Sequence, residues 1–110
     1  LSTVTLNRNC DFRRLYYKGK SYTNPALVIY VMPNGAGICR IGITVSKKIG
    51  NAVERNRCKR IIRAAYRQVF PQINGNFDFV FVARSKTKYL KSTQLEPILT
   101  ELLQKAGAIK

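Results

Sequence analysis

Between Ile38 and Arg84 the periodicity of the chain changes twice, and that change constrains the fold more than any residue count. From Ile38 to Ser46 the residues alternate. Cys39, Ile41, Ile43 and Val45 share one face, and Arg40, Gly42, Thr44 and Ser46 share the other, the period-2 pattern of a half-buried strand. After Gly50-Asn51 the apolar residues switch to helical spacing and keep it to Phe70, where Pro71 ends the pattern. Asn76 to Arg84, NFDFVFVAR, is then apolar on both faces apart from Asp78, which predicts a central strand with Phe77, Phe79 and Phe81 on one side. Strand, helix and strand in succession predict a mixed α/β layer, the helix joining two parallel strands as a β-α-β unit.

The flanking segments extend this layer. Asn9 to Lys18 places Phe12, Leu15 and Tyr16 at i, i+3, i+4, with Asn9 as N-cap and Gly19 as stop, predicting a short first helix. ALVIYVM from Ala26 reads as a strand, and Pro33-Asn34-Gly35 as a turn leading into the next one. Thr93 and Glu96 form a capping-box pattern ahead of Leu95, Ile98, Leu99, Leu102, Leu103 and Ala106, an amphipathic helix ending at Gly107, with Pro97 compatible only with its first turn. The order is helix, two or three strands, helix, strand, helix. With 110 residues, 45% of them apolar, and no repeat or linker, residues 1–110 form one domain around one modest core.

Charge narrows the partner. Twenty Lys and Arg against five Asp and Glu give a net +15 and a pI near 10.3, a self-repelling surface suited to a polyanion, nucleic acid ahead of an anionic membrane. In the long helix Cys58, Ile61, Ile62, Ala65 and Val69 fall on one stripe, and Asn56, Arg60, Arg63 and Arg67 on the opposite one. A charged stripe is ordinarily a solvated face, but such faces mix signs. Here Lys59, Arg60, Arg63 and Arg67 have no acid three or four residues away, and only Glu54 sits nearby. Like charges at these spacings cost a few tenths of a kcal/mol per pair, which a phosphate partner would reverse. Arginine's planar fork suits phosphates and base edges. Lys47 and Lys48 precede a Gly50-Asn51 turn whose N–H groups at a helix start are a further anion site.

Catalytic chemistry is restricted in the same way. No histidine is present, and Asp11, Glu54, Asp78, Glu96 and Glu101 do not cluster in sequence, so a Ser-His-Asp triad and histidine acid–base catalysis are excluded. A two-metal carboxylate cage is disfavoured, and no metal-binding residue is assigned. Cys10, Cys39 and Cys58 are odd in number and widely spaced, which predicts reduced thiols rather than disulfides or a zinc cluster. No run approaches the ~20 apolar residues of a spanning helix, and the first residues lack a secretory signal, so a cytoplasmic chain is expected. Leu1 is not an initiating methionine, which points to residues upstream of it.

TVSKKIGNAVERNRCKRIIR, Thr44 to Arg63, resembles the SVSKKIGNAVxRNRxKRxxR signature of the protein subunits of bacterial ribonuclease P. The similarity runs through nearly the whole chain: an N-x-D-F element (Asn9, Asp11, Phe12), Gly19 after it, a strand ending near Tyr30, the arginine-rich helix, an aromatic-valine strand closing with Ala83-Arg84, and a last amphipathic helix. The resemblance implies an α+β two-layer sandwich of αβββαβα type. It carries about four mostly antiparallel strands, three helices and a left-handed β-α-β crossover, against the usual right-handed preference. It also implies partnership with a catalytic RNA that removes the 5′ leader of precursor tRNA using Mg2+ held mainly by that RNA. The chain is then an RNA-binding part of an endoribonuclease with no catalytic residue of its own and no obligate protein partner or membrane.

Carried over residue by residue, the resemblance assigns Arg55, Asn56 and Arg57, with Lys59, Arg60 and Arg63, to the catalytic RNA, and the basic run extends that surface to Lys47, Lys48, Asn51 and Arg67. It assigns Phe12, Tyr16 and Tyr30, with Ser21 and Arg40, to a groove for the single-stranded leader, where each stacked base contributes ~1–3 kcal/mol. On spacing alone, Phe12 and Tyr16 read as core beside Leu15, and only the resemblance moves them to the groove. Tyr16 stands where some relatives have Phe, which preserves a stacking face. A ribosomal RNA-binding protein and a DNA-binding module are the rivals that composition leaves open.

Overall fold

The structure, a computed structural model, describes residues 3–5, 9–34 and 38–109. Its strands are β1 (Thr3–Thr5), β2 (Lys20–Asn24), β3 (Leu27–Pro33), β4 (Cys39–Thr44) and β5 (Phe77–Ala83). Its helices are α1 (Asn9–Lys18), α2 (Ala52–Val69) and α3 (Ser92–Lys105). One mixed sheet has the order β1-β4-β5-β3-β2. β2 and β3 are antiparallel, as are β3 and β5, whereas β5 is parallel to β4 and β4 to β1.

The expected strand–helix–strand core is present, with the α+β class and three helices. β4 and β5 are parallel neighbours joined through α2, as the periodicity predicts. The αβββαβα order is β2, β3 and β4 between α1 and α2, then β5 and α3. Two features go beyond it. β5 lies between β3 and β4, so the strands on either side of the Pro33 turn do not pair with each other. The sheet also gains the three-residue β1. The third strand that spacing left open is the polar segment Lys20–Asn24, a mostly exposed edge strand with no apolar alternation to announce it. The Asn9 side chain, expected as a cap, and Gly35 of the expected turn lie outside the described residues.

The two faces of the sheet are covered unequally. Leu27, Ile29 and Val31 of β3, Cys39 and Ile41 of β4, and Phe79, Phe81 and Ala83 of β5 point to one side, where α2 and α3 pack. Cys58, Ile62, Ala65 and Val69 of the predicted stripe are buried there, and so is Tyr66. The Tyr66 ring sits 5.5 Å from Phe70, 6.2 Å from Phe79 and 5.6 Å from Phe81, in the tilted and edge-on arrangements aromatics favour. On the other side α1 seals only Leu15 and Val80, with Phe12, Tyr30, Met32 and Val82 partly covered.

The N-cap of α3 is Lys91, two residues before the expected Thr93. The Lys91 N–H donates to Gln94 Oε1 at 2.8 Å, so Gln94 rather than Glu96 closes the first turn. Pro97 therefore lies in the second turn, where its missing N–H leaves the helix intact, and Thr100 Oγ1 donates to the Glu96 carbonyl at 2.8 Å. The helix ends as a Schellman motif: Gly107 at φ 80° donates to Gln104 O, and Ala108 to Leu103 O.

Candidate nucleic-acid interface

α2 is fixed at its start by a reciprocal cap. Asn51 Oδ1 accepts from the Glu54 N–H at 2.9 Å, and Glu54 Oε1 accepts from the Asn51 N–H at 3.1 Å. These are among the N–H groups that sequence reasoning offered to an anion, so the Gly50-Asn51 turn is closed by the chain's own carboxylate. A Cβ at Gly50 would collide with that carboxylate, which explains a glycine there. Lys88 completes the lock: its Nζ donates to Ile49 O at 2.8 Å and lies 3.1 Å from Glu54 Oε2. The Asn51 N–H first, and Lys88 second, hold the Glu54 carboxyl below its ordinary range, and Glu54 in turn raises Lys88. The one acid of α2 is thus neutralised locally and does not offset the helix's basic face.

At 100° per residue that face divides into three. Asn56, Arg60, Arg63 and Arg67 are exposed and point outward, as the sequence predicts. Arg55 and Lys59 lie on the flank toward α1 and β4. Arg55 is half-buried, and its Nε–H has no acceptor among the described residues. Arg57, with Ile61 and Ala64, lies on the opposite flank, toward α3. Lys47 and Lys48 are exposed on a single 3₁₀ turn, Lys47–Ile49, capped by Ser46 Oγ, which accepts from the Lys48 N–H at 3.2 Å.

Between α1, the end of β4 and α2 lies an open cleft of about 720 Å³, lined by Phe12, Arg13, Tyr16, Thr44, Val45 and Lys59, with Ile43 beneath. β1 pairs only with Cys39, Arg40 and Ile41, and the cleft opens beyond that pairing. Tyr16 is 42% exposed, its hydroxyl 3.2 Å from Thr44 Oγ1 and its ring edge-on to Tyr30 at 4.8 Å. Of the expected groove residues, Phe12 and Tyr16 form the wall and Tyr30 supports Tyr16 from behind. Ser21 pairs with Tyr30 across β2 and β3, on the same face of the sheet but outside the cleft lining.

Arg40 is placed by a partner the sequence did not reveal. Its Nε donates to Asp78 Oδ1 at 2.7 Å and its Nη2 to Oδ2 at 2.8 Å, a bidentate pair across β4 and β5. Asp78 is fully buried and also accepts from Asn34 Nδ2 at 2.7 Å. Arg40 therefore compensates a buried carboxylate. Sequence reasoning also missed Arg13 and Thr44 as wall residues and placed Lys59 with the outward surface. The 3.6-residue period carries the Lys59 signal, because Lys59 falls about 100° from Arg60, at the edge of the outward stripe on the cleft side.

The whole is a small basic α+β domain with a cationic helix beside a mixed sheet and an aromatic-walled cleft next to that helix. The comparisons place it further. A family model for Ribonuclease P matches residues 2–107. The chain is 45% identical over 104 residues to the ribonuclease P protein component of Clostridium novyi, covering 93% of this chain and 92% of that one. Among solved structures it is similar to the ribonuclease P protein of Staphylococcus aureus, with TM-score 0.85, 34% identity, and 99% and 100% of the two chains covered. It is also similar to that of Thermotoga maritima, with TM-score 0.81, 30% identity, and 92% and 96% covered. The chain belongs to the ribonuclease P protein component family.

Proposed function

We propose that the chain is the protein subunit of a ribonuclease P ribonucleoprotein. It docks on the catalytic RNA through α2 and holds the 5′ leader of precursor tRNA in the α1–β4–α2 cleft. The observation that carries the reading is the cleft itself, where Tyr16 and Phe12 meet Arg13 and Lys59 alongside the exposed Arg60, Arg63 and Arg67. Aromatic faces accept any base and cations track the backbone, the combination for a single strand of varied sequence.

The chain's part in cleavage is positioning and electrostatics. Asp78 is paired with Arg40, Glu54 with Lys88 and Glu101 with Lys105, and no cluster of three His, Cys, Asp or Glu occurs among the described residues. These acids do not fit a protein-held Mg2+, so the metal of phosphodiester hydrolysis belongs to the RNA in this reading. No described helix is long and apolar enough to cross a membrane.

Reconstitution with a bacterial ribonuclease P RNA tests the proposal. The protein should lower the magnesium requirement and tighten binding of precursor over mature tRNA. Failure of both sinks the reading. Stoichiometric cofractionation with ribosomes would favour a ribosomal role instead.

A further inference from the structure

α2 has a second cleft on its other flank. About 380 Å³ in volume, it opens between α2 and the start of α3, with Arg57, Arg60 and Lys91 around it, Ser92 at the rim, and Ile61 and Leu90 as an apolar floor. Arg57, Arg60 and Lys91 are exposed, and no ion pair to a carboxylate is formed by any of them among the described residues. The nearest acid on this flank, Glu54, is already held by Lys88 and the Asn51 N–H. Lys91 is the N-cap residue of α3, but its side chain makes no cap hydrogen bond. Three unpaired cations thus converge on one cavity, at a mutual repulsion that the fold does nothing to offset.

We infer that this α2–α3 cleft is a second phosphate-binding site, occupied by the backbone of the catalytic RNA and separate from the leader cleft. The inference rests on the proposed function and deepens it. Lys59 and Arg57 are two residues apart, so they point about 160° away from each other around the helix. One strand cannot enter both clefts without crossing the outward Arg60–Arg63 surface. The α3-side cleft has three cations and no exposed aromatic wall, so it holds phosphates rather than stacked bases. The first cleft has the aromatic wall. α2 is therefore straddled, and the RNA contact extends past the arginine helix to the Leu90-Lys91-Ser92 corner, which no signature residue marks.

The test uses the full chain and a bacterial ribonuclease P RNA, with affinity measured as a function of salt, and Lys91→Gln and Ser92→Asp as variants. An acid at the first position of α3 favours the helix dipole, so Ser92→Asp should fold at least as well as the parent while repelling phosphate. Both variants should bind the RNA several-fold more weakly, and Lys91→Gln should lower the log–log salt slope by about 0.7–0.9, the loss of one phosphate contact. Preference for precursor over mature tRNA should stay at the parental value. Parental affinity and slope in both variants, with Arg63→Gln weakened, would overturn this site and leave the proposed function standing. Loss of precursor preference instead of RNA affinity would reassign the cleft to substrate and also overturn it. A parent chain that does not bind the RNA would remove both readings at once.

Discussion

The sheet's two faces hold the same kinds of residue in opposite roles. Under α2 and α3, Phe79, Phe81 and Tyr66 are stacked into a core from which water is excluded. Under α1, Phe12, Tyr16 and Tyr30 are only partly covered, and the polar side chains of the central strands, Arg40, Asp78 and Thr44, turn to this side. Aromatic content alone therefore does not separate a core from a binding wall. What separates them is how many elements cover the face: two long helices on one, a single ten-residue helix on the other. Stability resides mainly on the thick face, which leaves the thin one free to keep tyrosine exposed.

The largest effects should follow from breaking what is sealed. Phe79→Ala should destabilise the fold by ~3–5 kcal/mol, read as a fall in urea midpoint at unchanged slope. Arg40→Met should cost ~3–5 kcal/mol by stripping the buried Asp78 of its bidentate partner, with only Arg14, 3.7 Å away, left as a cation beside it. The double variant Arg40→Met/Asp78→Leu should recover much of that loss in the same melts, which a groove role for Arg40 would not predict.

On the open face the pattern should reverse. Tyr16→Ala should cost ~1–3 kcal/mol of precursor tRNA binding, with a much smaller change in stability. A stability loss as large as that of Phe79→Ala would show that Tyr16 is core after all and erase the distinction between the faces. Asn51→Ala, at the α2 cap, should cost ~1 kcal/mol in thermal or chemical melts. The smallest effect is in pH. Glu54 is held below its ordinary value, so its contribution is present above that value and is lost as pH falls through the depressed one. Glu54→Gln should therefore flatten the acid limb of the stability profile and, because Lys88 is raised by Glu54, the alkaline limb as well, leaving the neutral part in shape.

Much of this was legible in the chain because burial writes periodicity. The α2 stripe through Cys58, Ile62, Ala65 and Val69, the alternation of β4 and the doubly apolar β5 all name their environment. Strand order was not legible, because periodicity records which face is buried and not which neighbour pairs. The insertion of β5 between β3 and β4 is thus invisible locally. Asp78 signalled that something unusual occupies the middle of β5, but Arg40 lies 38 residues away and only the register identifies it. Phe12 and Tyr16 came out of the resemblance and stand in the cleft. Arg13 and Thr44 had no signal beyond being polar beside them, and the Lys91 corner is set by how α3 meets α2, a tertiary fact.

The position of β5 also dictates an order of assembly. It is made after α2 yet lies between two strands made before it, so a growing chain halted anywhere before residue 77 has β4 and β3 each with an unfilled edge. Until then only the β2–β3 hairpin and the β1–β4 pair can form, as separate pieces, while α2 already carries its full cationic face. Synthesis of Phe77 to Ala83 inserts a wedge that joins both halves through its two edges at once, so the sheet closes late. A fragment that stops short of β5 should therefore display two adhesive strand edges rather than a smaller version of the fold.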